Sequence, residues 1–305
     1  MRSFFKSRIK NILNEVLDQR EFRTTEKSIL LAGKIKADYN RLNSAQLRSI
    51  NDFEFSVFSQ FGEDGIIQYL IENIEIKNKV FIEFGVENYK ESNTKFLLMN
   101  NNWRGLVIDG NDRNITFIKK SEIYWRHDLQ ARHNFITREN INSIISEEQI
   151  TGDIGLLSID IDGADYWIWD EIAVIQPAIV IVEYNSLFGP TRTITVPYQP
   201  DFYRMNYHYS GLVFGTSITS LIDLGDKKGY YFVGCNEMGN NAFFVKKEKI
   251  GNIRPLTVQE GYKEAKFRES RDKNGTLTYK RGMHKYDEVK GAEVYNTRTN
   301  QIEHL

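Results

Sequence analysis

Acidic residues close one apolar run after another in this chain. Asp109 follows GLVI, Asp128 follows SEIYWRH, Asp160 follows LLSI with Asp162 two residues on, and Glu183 follows AIVIV. One acid at a strand end means little. A series of them at the C-terminal ends of successive strands marks the edge along which an open α/β sheet binds ligands. A carboxylate in that position accepts hydroxyl groups, holds a cation or moves a proton. Glu83, inside VFIEF, and Glu87, just past Gly85, add two more acids on either side of a turn.

The stretch Val80 to Asp109 must position the first of these groups. It reads as an apolar run, a glycine turn, a helical segment from about Ser92 to Asn101, and a second apolar run from Gly105 to Asp109. That is the βαβ pattern of nucleotide binding. Gly85 lets the backbone approach a ligand, the helix start offers free N–H groups, and Asp109 can accept both hydroxyls of a ribose. A dinucleotide loop wants three glycines in G-x-G-x-x-G, and only Gly85 is here. Glu83 and Glu87 would repel a pyrophosphate and favour a ligand with positive charge. S-adenosylmethionine, which carries a sulfonium and an ammonium, suits that field better than NAD.

The remaining elements extend the same sheet. SEIYWRHDL reads as a third strand ending at His127–Asp128, Leu156 to Asp160 as a fourth, and Ala178 to Tyr184 as a fifth. Their continuous apolar runs fit a parallel sheet covered on both faces. GYYFVGC and NAFFVKK form a closing antiparallel pair. The class is α/β. Residues 1–52 read as an N-terminal helical extension and 53–250 as the sheet domain. Within that domain, 185–211 is a Pro- and aromatic-rich lid insert. Residues 251–305 are a C-terminal cap, with a hairpin at the Asn-Gly of RDKNGTLTYKRG. In SQFGED, Gln60 stands on a polar rim at the mouth of the ligand site, or belongs to a helix start.

Composition narrows the class. The chain has 305 residues, a formal net charge of −1 and one cysteine, Cys235. There is no global electrostatic reason to expect nucleic acid and no disulfide framework within this chain, which favours a reducing, cytoplasmic setting. No apolar stretch is long enough to span a bilayer, and no signal-peptide h-region is seen. Met1 to Asp18 has Phe4, Phe5, Ile9, Ile12, Leu13, Val16 and Leu17 at helical spacing with Arg2, Lys6, Arg8 and Lys10 between them. Such a helix packs on its own domain, on a second copy in a homo-oligomer, or on a membrane surface.

FIEFGVENYKESNT, GLVIDGN, WRHDL, LLSIDIDGADYWIWDEI and NAFFV together resemble the class I S-adenosylmethionine-dependent methyltransferases, and within them the FkbM-type and related sugar O-methyltransferases. The resemblance covers roughly residues 55–247. It implies a Rossmann-like, mostly parallel sheet whose last strand is antiparallel, with S-adenosyl-L-methionine as cofactor. Glu83 and Gly85 then match the contact to the methionine part, Asp109 the ribose acid, Asp128 the adenine acid, and Asp160 the position beside the transferred methyl. Gln60, Glu87, Ser92 and Asn111 complete the expected cofactor set. The pattern departs from the family where its second and third glycines become Glu87 and Tyr89.

Asp160, Asp162, Glu183 and Asn185 would converge if the fourth and fifth strands are neighbours, and such oxygen ligands suit Mg²⁺ or Mn²⁺. In some O-methyltransferases that resemble this arrangement, the ion binds two acceptor hydroxyls. Alternatively, Asp162 starts a turn, Asp160 positions a ligand and Glu183 caps a loop. His208, in the lid, is the expected general base, because imidazole titrates near neutrality. The favoured activity is methyl transfer to a hydroxyl of a sugar or glycoconjugate. A metal-dependent glycosyltransferase using Asp160-Ile161-Asp162 and a non-enzymatic nucleotide-fold module are the other readings, and an NAD dehydrogenase comes last.

Overall fold

The computed structural model describes residues 25–305, so the helix expected over Met1–Asp18 lies outside the described residues. Strands β1 (Val80–Phe84), β2 (Arg104–Asp109), β3 (Leu129–His133), β4 (Gly152–Ile159), β5 (Ile175–Glu183), β7 (Tyr230–Cys235) and β8 (Asn241–Lys246) form one sheet in the order β3-β2-β1-β4-β5-β8-β7. The pairs from β3 to β5 are parallel, and β8 runs antiparallel to both its neighbours. This is the expected Rossmann-like sheet, mostly parallel with the last strand reversed.

The strand sequences explain the sheet. VFIEF is buried along its whole length, and β5 is buried from Pro177 to Val182. Runs of this kind have no solvent face to offer and require helices on both sides. One face carries Ile82, Leu157, Val180 and Trp169 in its core. The other carries Phe81, Leu156, Ile179 and Ile66. The helices are α1 (25–42), α2 (Glu63–Asn73), α3 (Lys95–Asn101), α4 (Asp112–Lys120), α5 (Glu122–Arg126), α6 (Ile141–Glu147), α7 (Asp165–Glu171), α8 (Arg204–Tyr207), α9 (Ile218–Lys228), α10 (Val258–Gly261) and α11 (Met283–Val289).

The third strand corrects the sequence reading. Glu122 to Arg126 is a short helix, closed by an i,i+4 Glu122–Arg126 pair and packed through Ile123 and Tyr124. The strand begins only at Leu129. It lies at the sheet edge and alternates buried with half-exposed residues, so its sequence, LQARH, carries little apolar signal. Asp128 therefore precedes β3, where its carbonyl accepts the Gly105 N–H at 2.9 Å, at the sheet end opposite the strand-end acids.

Beyond the sheet, β6 (Ile194–Thr195) in the insert pairs with β9 (Glu293–Asn296), which pairs in turn with β10 (Gln301–His304). A separate core of Phe188, Val196, Phe202, Val213, Val289 and Val294 joins these segments. The insert and the C-terminal segment thus build one cap. The Asn-Gly turn is present as a minimal hairpin, with an Arg271–Leu277 bridge and Asp272 Oδ1 accepting from the Asn274 and Thr276 N–H groups.

Candidate active site

A cavity of about 960 Å³ opens at the C-terminal ends of β1, β2, β4 and β5 and is roofed by the cap. Its floor is set by the turn after β1. Gly85, Glu87 and Tyr89 all have left-handed backbone, with φ of 70°, 45° and 60°. These are the three positions at which a glycine loop would place its glycines. Two of the three carry side chains and are left-handed all the same. A left-handed non-glycine residue costs about 1 kcal/mol, and the surroundings offset that cost. Tyr89 is buried and its hydroxyl lies 3.0 Å from Thr94 Oγ1. The Glu87 N–H donates to Asp109 Oδ2 at 2.8 Å. At Gly85 no side chain is possible, because a Cβ would meet the Asp160 carbonyl oxygen at 1.6 Å.

Glu83 faces the cavity but is held by its own chain. Its carboxylate accepts from Ser92 Oγ at 2.5 Å, the Asn93 N–H at 2.8 Å, the Thr94 N–H at 3.1 Å, and Thr94 Oγ1. It anchors the start of α3, and Ser92 serves that anchor. Burial pushes the Glu83 carboxyl up, against these hydrogen bonds.

Asp109 is buried, lines the cavity and ties three segments together. Besides Glu87, it accepts from the Asn111 N–H at 2.8 Å and Asn114 Nδ2 at 3.0 Å, both on Oδ1. A carboxylate has about four acceptor positions, so Oδ2 retains capacity for a ligand hydroxyl. Asn111 instead caps α4 through the Arg113 N–H, and its side chain is exposed outside the cavity wall. Gln60 and Glu87 line the cavity; Asp128 does not.

Asp160 and Glu183 meet where β4 and β5 end at the cavity. The β4–β5 register pairs Ile159 with Val182, which sets the next residues side by side. Burial, then the surrounding carboxylates, push both groups well above the usual carboxylate range. Glu183 Oε2 is buried without a hydrogen-bond partner among the described residues. Buried polar atoms without partners are rare and need a reason, a ligand among them.

The expected metal set does not assemble. Asp162, left-handed at φ 58°, pairs with Arg204 at 3.0 Å. Asn185 Nδ2 donates to the Leu212 and Phe214 carbonyls, and its Oδ1 accepts the Leu187 N–H. Two of the four ligands are thus engaged in holding the turn and the insert, and among the described residues no group of three His, Cys, Asp or Glu is placed to hold a metal ion. The same pairing engages Asp162 of the Asp160-Ile161-Asp162 segment with a cation from the insert. Asp165 holds the turn from below, accepting the Ile161 and Gly163 N–H groups, and burial lifts it to about 6.

His208 is also displaced from its expected role. Its Nδ1 lies 2.7 Å from Ser210 Oγ, its ring stacks on Tyr209, and it is not part of the cavity wall. The insert contributes Arg204 instead, which bridges Asp162 and Glu269. No motif surrounds Arg204 in the sequence. The acids Asp162 and Asp160 were the available signal that a counter-charge was needed.

No family model matches the chain, and no curated protein does. Among solved structures it is similar to the N-terminal domain of EvdMO1 with SAH bound, at 12% identity over 68% of this chain and 94% of that one, with a TM-score of 0.41. A S-adenosylmethionine-dependent methyltransferase from Clostridium acetobutylicum ATCC 824 is similar at 10% identity over 71% and 99% of the two chains, with a TM-score of 0.39. TrmK of M. capricolum in complex with SAH is similar at 12% identity over 64% and 74%, with a TM-score of 0.37.

Proposed function

We propose that this chain is an S-adenosylmethionine-dependent O-methyltransferase acting on a hydroxyl of a sugar or glycoconjugate. The observation that carries the reading is the turn after β1, left-handed at Gly85, Glu87 and Tyr89 and tied to the buried Asp109. The residues present fit the cofactor. Glu83, Glu87, Glu91, Asp109 and Asp160 line the sheet side of the cavity, where no basic side chain joins them; Arg204, Lys266, Arg281 and Lys285 all come from the cap. An acidic floor favours a cationic ligand over a pyrophosphate.

The cofactor supplies a methyl group on positively charged sulfur. The chain's residues do the rest. Asp109 accepts a ribose hydroxyl on Oδ2, and the backbone at Gly85 comes close because nothing projects from it. The aromatic and polar roof, with Tyr198, Phe202 and Tyr203, offers a stacking face to a sugar. Glu183 Oε2 would receive the acceptor hydroxyl and take its proton while the oxygen–carbon bond forms and the carbon–sulfur bond breaks, its electron pair staying on the sulfur.

Calorimetric titration with S-adenosylhomocysteine tests the reading. Binding to the wild type, lost or weakened at least about tenfold in Asp109→Ala by removal of a hydrogen-bonded charge, is the expected result. Absence of binding to the folded wild type overturns it.

A further inference from the structure

Helix α1 carries two apolar faces. The inner face packs on the sheet domain: Gly33, Ala37 and Asn40 are buried, a Cβ on Gly33 would meet Val57 and Phe96, and Asn40 Nδ2 donates to the Phe53 carbonyl at 2.8 Å. Glu26 pairs with the buried Lys95 at 3.4 Å and ties the helix to the sheet domain. The outer face holds Leu31, Ile35, Tyr39 and Leu42, exposed by 59%, 61%, 57% and 81%. Steps of four, four and three residues place them on one stripe. Scattered exposed apolar residues need no explanation, but a continuous stripe marks a contact surface.

Charge decides what the stripe meets. Lys27 and Lys34 stand seven residues apart along one border, where Arg41 follows but is countered by Asp38 and Glu72, and Lys36 lies on the other with its ammonium over the Tyr39 ring. A second copy packed on this stripe, parallel or antiparallel, would set basic border against basic border. A surface of anionic lipid would instead receive the apolar stripe and neutralise both borders. The preceding residues 1–24 continue the same composition, with Phe4 and Phe5 among Arg2, Lys6, Arg8 and Lys10.

We propose that the outer face of α1 is a membrane-surface contact that lays Leu31, Ile35, Tyr39 and Leu42 into an anionic lipid interface. This surface is independent of the chemistry at the cavity. The test is co-sedimentation of the full chain with vesicles of phosphatidylcholine alone and of phosphatidylcholine with phosphatidylglycerol. Binding to the anionic vesicles is expected, weakened by salt. It should fall at least about tenfold in Leu31→Ser/Ile35→Ser/Leu42→Ser, since each substitution removes an exposed apolar side chain that the lipid would cover. It should also fall in Lys27→Glu/Lys34→Glu and persist in Ile302→Ser, an exposed apolar control on the cap. The inner face of α1 is untouched in these variants, and an unchanged melting temperature verifies that they fold. No binding to anionic vesicles overturns the proposal, as does equal binding by the triple variant. A wild-type dimer in light scattering that the triple variant dissolves, without vesicle binding, assigns the stripe to a second copy and also overturns it.

Discussion

At the scale of residues, the site is built from conformations and burial that side-chain identity alone does not announce. Tyr89 sits at φ 60° where glycine would be unstrained, but its ring fills the core and its hydroxyl meets Thr94. Tyr89→Gly should therefore destabilise the fold by about 3 kcal/mol or more, since losing a buried aromatic outweighs the relieved strain; chemical denaturation measures it. Glu87 is exposed at φ 45°, so Glu87→Gly should leave stability unchanged or raised by about 1 kcal/mol. The opposite signs at two neighbouring left-handed positions would separate packing from strain. Glu183→Gln keeps the shape at the reacting end and removes the proton acceptor. If Glu183 takes the hydroxyl proton, kcat should fall by about a hundredfold with little change in S-adenosylhomocysteine affinity. The residual rate of the variant should rise with pH above neutrality, as a growing fraction of the acceptor hydroxyl ionises unaided.

Elements explain what the sequence made legible. β1, β2, β4 and β5 were readable because each is a continuous apolar run with both faces covered, and their carboxyl ends placed Glu83, Asp109, Asp160 and Glu183 on one edge. β3 was not, because an edge strand alternates and the helix before it, Glu122–Arg126, holds the more apolar residues. The two-residue β6 has no local signature; its stability comes from pairing with β9, about a hundred residues away. The roles of Asn185 and Asp162 were hidden for the same reason, since their partners are distant in sequence: Arg204 within the insert, and Leu212 and Phe214 just after it. Asn185→Ala removes the hydrogen bonds that hold the Leu212 and Phe214 carbonyls, leaving buried acceptors unpaired. It should cost about 2–3 kcal/mol and loosen the roof, measurable as faster hydrogen exchange over residues 185–215.

For the whole molecule, the burial of carboxyls sets the response to pH. Asp64 and Asp165 are each lifted to about 6, chiefly by burial, and Glu83, Asp160 and Glu183 are raised as well. A raised carboxyl binds its proton more tightly in the folded chain than in the unfolded one. Folding stability therefore rises as pH falls from about 6 towards about 4, and is lower above the folded values. The melting temperature at pH 5.5 should exceed that at pH 8 by a few degrees, and Asp165→Asn should flatten that difference.

The cap has a consequence in time. The floor of the cavity is complete once the chain has passed β8 at Lys246, but β6 must wait for Glu293–Asn296 before it has a partner. On a ribosome, where domains form from the N-terminus onward, the floor of the cavity precedes the strand that secures its roof by some fifty residues of synthesis. The nascent protein thus passes through a stage in which the acidic cleft is built while β6 still lacks its partner strand.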